Sequence, residues 1–192
     1  MENVKKQQNP TLKAIVIGLK LLLISALIAA IIAFVYAVTL EQYEENVIGQ
    51  KRQAMQVIFN AESLTYEEAT VEDATVYTIL DNGAVIGYCV EVASAGFGGD
   101  VSLMVGYGAD GSILGVQVVS HSETPGLGAR VEEEEYLSRY RGKDISSVLY
   151  SDGYFVDAIS GATISSNAVR DGVMAATKIV KSYIEKGGAP LE

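Results

Sequence analysis

The chain has 192 residues, of which 49% are hydrophobic, so one modest domain with a packed core fits beside a further segment. Its formal net charge of -10 argues against a nucleic-acid-binding protein, because no basic surface is available to neutralise phosphates. Its single cysteine excludes an internal disulfide and a cysteine-based metal cluster, so redox chemistry would require a bound cofactor.

An uncharged, apolar run from Leu21 to Leu40 predicts a transmembrane helix, because about 20 helical residues span about 30 Å, the thickness of a bilayer's hydrocarbon core. We expect this helix over residues 15–40, after a cytoplasmic N-terminus of residues 1–14. The charges on its two sides are Lys5, Lys6, Lys13 and Lys20 before it, and Glu41, Glu44 and Glu45 after it. The lysine excess places the rest of the chain outside the cytoplasm. A cleaved signal peptide is the alternative, but the length of the run favours a retained anchor in the cytoplasmic membrane.

Residues 41–74 are predicted as a helical connector, with a helix over residues 41–60 that Gly49 could interrupt. The domain that follows, residues 75–192, opens with four predicted strands: Val76–Leu80, Ala84–Val92, Val101–Tyr107 and Ile113–Ser120. Turn residues 81–83 and 108–111 join them as two hairpins. This spacing predicts an antiparallel meander with one buried face, in which Cys89 is a buried strand residue.

Two helices are predicted after the strands. Val131–Arg141 has an acidic first turn and a basic end, which suits the helix dipole. The last helix has one apolar face, formed by Val169, Val173, Ala176, Val180 and Tyr183. Its expected N-caps are Ser165, Ser166 and Asn167, and Gly187-Gly188 would end it. The expected fold is therefore α+β, an antiparallel sheet with packed helices, preceded by one N-terminal transmembrane helix.

The stretch from Asp157 to Ser166 predicts a strand that ends near Val156 and runs through a glycine-hinged turn into the last helix. A helix N-terminus offers unpaired N–H groups and partial positive charge, which suit a phosphate. Gly161 and Ala162 would leave room for it. A Ser/Thr-rich cap is the alternative, and no lysine follows the glycine as a Walker-type phosphate loop requires.

The only histidine, His121, begins a loop that runs to Gly128 and is rich in Pro and Gly. A hydrolase triad of His121 with Ser160 or Ser166 is one alternative, but no Gly-x-Ser-x-Gly elbow supports it, and a hydrogen-bonded structural histidine is favoured. His121 and Glu123 without a third ligand make a weak case for a metal.

Asp157, followed by Ser160-Gly161-Ala162-Thr163, resembles the flavinylation motif of the FMN-binding domain family. In that family a flavin transferase uses FAD to join the threonine hydroxyl to the phosphate of FMN. The resemblance implies covalent FMN on Thr163, with Ser165 and Ser166 as second choices.

Residues 121–128 are similar to the segment that helps cradle the flavin in these domains. With a flavin bound there, we predict that the glycines of residues 96–99 and 126–128 let backbone amides face the ring. We also predict that Phe97 and Leu127 pack on the ring, and that Glu123 and Thr124 hydrogen-bond its polar edge. The resulting set of expected cofactor-binding residues is Thr163, Ser160, Gly161, Ala162, Glu123, Thr124, Leu127 and Gly128.

Together with the anchor, these motifs are similar to the G-subunit family of Rnf complexes, the ion-translocating ferredoxin:NAD oxidoreductases of bacterial and archaeal membranes. The resemblance implies an electron carrier without substrate turnover of its own. Its implied partners are a membrane flavin subunit, iron–sulfur subunits, a flavin transferase for maturation and the lipid bilayer. Alternatives are the C subunit of the Na⁺-translocating NADH:quinone reductase, a stand-alone extracytoplasmic flavin domain, an anchored binding or assembly protein without cofactor, and an anchored serine hydrolase.

Overall fold

The computed structural model describes residues 10–61, 64–71, 74–151 and 155–187. The chain forms two compact units, residues 1–48 and residues 49–192. Its helices are α1 (Pro10–Phe59), α2 (Glu134–Leu137), α3 (Ile145–Leu149) and α4 (Thr163–Glu185). Its strands are β1 (Thr65–Val71), β2 (Ala74–Asp81), β3 (Ala84–Ala95), β4 (Asp100–Gly108) and β5 (Ile113–Ser120).

Helix α1 includes the apolar run as an uninterrupted helix. Within the described residues it is the one helix long and apolar enough to cross a membrane, and none of its most apolar stretch is buried. The expected interruption at Gly49 is wrong, because the helix continues to Phe59. A single glycine costs a helix interior only about 1 kcal/mol, which neighbouring helix-forming residues offset.

The described strands form one antiparallel sheet in the order β1-β2-β3-β4-β5. The four predicted strands are confirmed as β2 to β5. Asn82 and Gly83, with φ of 50° and 82°, make the β2–β3 turn, as hairpins with two left-handed turn residues require. Strand β1 was not predicted, and it lies within the range expected to be a helical connector. Its residues are mostly exposed, so it lacks the apolar alternation that identifies a strand.

Both faces of the sheet are covered, so the expectation of one buried face is wrong. One face packs against α4 through residues such as Val90, Leu103 and Val105. The other face, which includes Ile79 and Cys89, packs against the last turns of α1 inside the second unit. Strand β4 shows this directly, because every residue from Leu103 to Gly108 is buried. Cys89 is fully buried, as predicted.

The segment predicted as a helix over Val131–Arg141 is instead three short pieces. A 3₁₀ turn covers Gly128–Glu132, α2 follows, and a second 3₁₀ turn covers Ser138–Tyr140. Four consecutive glutamates leave the segment without helical apolar periodicity, so the burial of Tyr136 and Tyr140 sets its path. Helix α3 was not predicted; Asp144 caps it by accepting hydrogen bonds from the Ser146 and Ser147 amides.

Helix α4 starts at Thr163, two residues before the first expected N-cap. The prediction of Ser165, Ser166 and Asn167 as N-caps is therefore wrong, and these residues lie inside the first turns. The strand expected to end near Val156 is not found at residues 155 and 156, which form a bend, and residues 152–154 lie outside the described residues. The helix ends at Glu185, and Gly187 follows with φ of 81°. Gly188 lies outside the described residues.

Candidate functional site

A cavity of about 310 Å³ opens beside the start of α4 within the second unit. Three segments line it: the β3–β4 loop, the loop after β5 and the first turn of α4. The lining residues are Phe97, Glu123, Thr124, Leu127, Gly128, Gly161, Ala162, Thr163, Ile164 and Ser165. Its volume lies at the lower end of small-molecule sites, about 300–1,000 Å³. The structure therefore gathers all but one of the predicted site residues; Ser160 does not line the cavity.

Thr163 is the first residue of α4 and is exposed to solvent. Gly161, with φ of 81°, turns the chain into the helix, and the Ala162 amide donates to the Ile159 carbonyl at 3.0 Å. Ala162 occupies the N-cap position and offers no side-chain hydrogen bond to the described helix. The amides of the first turn have no intrahelical acceptors, so this helix start can receive an anion.

The hydroxyl groups of residues 157–166, all described, divide into exposed and buried pairs. Ser160 and Thr163 are exposed, whereas Ser165 and Ser166 are 2% and 0% exposed. The Ser166 hydroxyl accepts a hydrogen bond from the Ile159 amide at 3.0 Å, and the Ser165 hydroxyl donates to Glu123. A reagent from solvent can therefore reach Thr163 and Ser160 but not the two buried serines.

Glu123 is buried at the floor of the cavity, with 5% of its surface exposed. Its Oε1 atom accepts hydrogen bonds from the amides of Phe97 at 2.8 Å and Gly98 at 3.1 Å, and its Oε2 atom accepts from Ser165. Burial alone would raise the pKa of this carboxyl. The hydrogen bonds from Ser165, Gly98 and Phe97, with the nearby His121, outweigh burial and hold the pKa below its ordinary value. Glu123 is therefore ionised at neutral pH.

Glycines surround this carboxylate because no other residue fits. A Cβ atom on Gly96 would overlap the Glu123 Oε1 atom, and one on Gly98 would overlap the Ser122 carbonyl. A Cβ atom on Gly128 would lie 2.6 Å from both Glu123 Oε2 and Ser165 Oγ. Close packing around the Glu123 carboxylate thus requires glycine at residues 96 and 128, and packing on Ser122 requires it at residue 98.

His121 supports the same loop from outside. Its Nδ1 atom accepts the Glu123 amide at 3.1 Å, and its Nε2 atom lies 3.0 Å from a carboxylate oxygen of Glu132. This arrangement confirms the prediction of a hydrogen-bonded structural histidine. It does not form a hydrolase triad with Ser160 or Ser166, since the two ring nitrogens of His121 face Glu132 and the Glu123 amide, and the Ser166 hydroxyl is buried against the Ile159 amide. Among the described residues, no group of three or more His, Cys, Asp or Glu side chains could hold a metal ion.

Apolar side chains stand exposed around the cavity mouth. Phe97 is 68% exposed, Leu127 47% and Ile164 53%. Exposed apolar groups that cluster around a cavity indicate a binding surface. Sequence reasoning singled out Phe97 and Leu127 but missed Ile164, which only its place directly after Thr163 could have indicated. It also missed the hydrogen bond between Ser165 and Glu123. These residues are 42 positions apart in the sequence, so no local sequence pattern indicates that they meet.

The FMN-binding domain family matches residues 96–178, a range that contains every residue lining the cavity. The G subunit of an ion-translocating oxidoreductase complex from Methanosarcina acetivorans is 36% identical over 173 residues, which cover 84% of this chain and 92% of that protein. The G subunit of a proton-translocating ferredoxin:NAD(+) oxidoreductase complex from Clostridium ljungdahlii is 30% identical over 157 residues, covering 80% of this chain and 84% of that protein.

The fold is also similar to a solved structure. The crystal structure of the C subunit of Na(+)-translocating NADH-quinone reductase from Parabacteroides distasonis superposes with a TM-score of 0.56 at 19% identity. The match covers 75% of this chain and 94% of that chain. At this identity the likeness concerns the fold, and it confirms the predicted α+β architecture.

Proposed function

We propose that this chain, which belongs to the G-subunit family of ion-translocating oxidoreductase complexes, is an electron-transfer subunit that carries FMN joined through its phosphate to Thr163. The single observation that carries the proposal is the exposed Thr163 hydroxyl at the open N-terminus of α4, inside the matched FMN-binding domain. When bound, FMN supplies electron transfer in single or paired steps.

The residues at the start of α4 fit the phosphate end of FMN. The first-turn amides and the helix dipole favour a negative group there. The Thr163 oxygen would form the phosphoester bond by displacing AMP from FAD, with release of a proton. Ser160 is the other exposed hydroxyl of this turn, but it does not line the cavity.

The cavity mouth fits the ring end of FMN. Phe97, Leu127 and Ile164 would cover apolar parts of the ring and exclude water. Thr124 is an exposed hydrogen-bonding residue on the cavity wall, so it would meet a polar edge. Gly128 has no side chain, so its backbone lines the cavity directly. Glu123 already accepts three hydrogen bonds within the protein, so we assign it a supporting role instead of a ring contact.

The anchor and its flanking charges support a location in the cytoplasmic membrane, with residues 1–14 in the cytoplasm and the FMN-binding domain outside. We extend to this chain what the names of its relatives state, namely membership in an ion-translocating ferredoxin:NAD oxidoreductase complex. The partners we propose are its membrane flavin subunit and iron–sulfur subunits, with a flavin transferase for maturation.

The test is flavin fluorescence in a denaturing gel after co-expression of the full chain with a flavin transferase. We expect a fluorescent wild-type band, a dark Thr163→Ala band and a fluorescent Ser160→Ala band as the matched control. The wild-type tryptic peptide containing Thr163 should be heavier by FMN less one water. A bright Thr163→Ala band would move the attachment to another residue, and a dark wild-type band would favour a binding or assembly protein.

A further inference from the structure

Three segments far apart in the sequence meet at one side chain, Glu123. The β3–β4 loop contributes the amides of Phe97 and Gly98, and the first turn of α4 contributes the hydroxyl of Ser165. Glu123 itself lies in the loop after β5, whose Leu127 also lines the cavity. All three walls of the cavity are therefore tied to one carboxylate.

The packing shows that these walls are built around a charged acceptor. The hydrogen bonds of the Phe97 and Gly98 amides are partly buried, so loss of their acceptor is destabilising, and a hydrogen bond to a charged group is about twice as strong as one between neutral groups. Gly96 and Gly128 have no room for a Cβ atom because the carboxylate and its partners fill that space. A side chain of equal volume without an acceptor would fill the floor but leave the amides unpaired.

We propose that Glu123 is the positioning residue of the cavity. It holds the β3–β4 loop and the first turn of α4 at the separation that a flavin requires. It acts through the Phe97 and Gly98 amides and through Ser165, and it need not touch the ring. Because Glu123 is hydrogen-bonded to α4 through the Ser165 side chain and not through the backbone, the first-turn amides stay available to a phosphate. The nature of the ligand rests on the function proposed above, whereas the hydrogen bonds belong to the chain itself.

The first experiment excludes flavin by using the full chain in a Thr163→Ala background. Glu123→Gln keeps an acceptor for the two amides, whereas Glu123→Met has similar volume and no acceptor. We expect hydrogen–deuterium exchange of the peptide containing Phe97 and Gly98 to be about tenfold faster or more in Glu123→Met and near the parent in Glu123→Gln. Glu135→Gln, an exposed carboxylate of α2, is the control.

Equal exchange in the Gln and Met variants would overturn the inference. If Glu123→Met does not fold, Ser165→Ala takes its place, because it removes one tie only. We then expect faster exchange of the α4 amides that follow the first turn, beginning with the Ser166 amide that donates to the Ala162 carbonyl, while the Phe97–Gly98 peptide stays protected. If Ser165→Ala left the exchange rate unchanged in both segments, or raised it in both, the result would contradict the two separate sets of hydrogen bonds that the structure shows.

The second experiment restores Thr163 and follows flavin incorporation by the transferase together with visible circular dichroism of the product. We expect Glu123→Met to load about tenfold more slowly and to give an altered spectrum, and Glu123→Gln to restore the wild-type spectrum. A wild-type chain without flavin would refute the proposed function and leave the exchange result standing. Wild-type loading and spectrum in Glu123→Met would refute the positioning role alone.

Discussion

At the scale of single residues, Glu123 is buried yet ionised because donors surround it. Transfer of a lone carboxylate from water into a protein interior is costly, and only hydrogen bonds and nearby charge offset that cost. Two amides and one hydroxyl supply those bonds here, and the start of α4 adds favourable dipole charge. The hydrogen bonds of Glu123 therefore offset the cost of burying its charge, and they also fix the positions of the segments that donate them.

The stability that Glu123 contributes should depend on pH. Its pKa in the folded protein lies below the ordinary value near 4.5, so the contribution is full above that value and is lost as the pH falls through the folded pKa. We expect Glu123→Gln to lower the free energy of unfolding by about 1–2 kcal/mol at pH 7. Denaturant titrations at a series of pH values measure this difference.

As the pH falls through the folded pKa of Glu123, which lies below the ordinary value near 4.5, the difference between wild type and Glu123→Gln should shrink, because both side chains are then neutral. A difference that stays constant over the whole acidic range in which both proteins remain folded would contradict a charge-dependent contribution of this carboxylate.

At the scale of elements, the last turns of α1 pack closely on the sheet where glycines lie on adjacent strands. Gly106 on β4 pairs with Gly115 on β5, and Gly87 lies nearby on β3. Ile58 packs against Gly106 and Gly115, and Phe59 against Gly87. Larger side chains at these three positions would hold α1 away from the sheet. The glycines therefore allow the last turns of α1 to cover the second face of the sheet.

This packing yields a matched pair of substitutions. Gly87→Ala would place a methyl group onto the Tyr107 carbonyl and the Phe59 ring, and we expect it to lower the free energy of unfolding by about 1–3 kcal/mol. Gly115→Ala would only reach ordinary contact distance from Ile58, so its stability should be unchanged or slightly higher. Urea titration of the full chain in detergent measures both. Equal losses would contradict the packing explanation.

The elements also differ in how far their sequences predicted them. The hairpins of β2–β3 and β4–β5 were predictable because alternation and turn residues are local signals. Strand β1 and the fragments around α2 were not, because tertiary contacts stabilise them against weak local preference. The start of α4 was misplaced for a related reason: Ser165 and Ser166 resemble N-caps in sequence, but their hydroxyls bond to Glu123 and Ile159 instead.

At the scale of the whole molecule, the charges around the apolar run predict one orientation. We expect alkaline phosphatase fused after Glu192 to be active, and the same reporter fused before Met1 to be inactive, because the lysine-rich side stays in the cytoplasm. Colony colour and enzyme assay of the two fusions measure this. Activity from the N-terminal fusion alone would reverse the orientation and place Thr163 in the cytoplasm.

The sequence by itself determined the apolar helix, four strands, the last helix and the motif around Thr163, because each depends on residues close together in the chain. Only the tertiary structure decided that β1 joins the sheet, that both sheet faces are covered and that Glu123 turns inward to Ser165. Those features depend on burial and hydrogen bonds between segments many residues apart. Their energies arise only when the chain has folded, so no local pattern of residues encodes them.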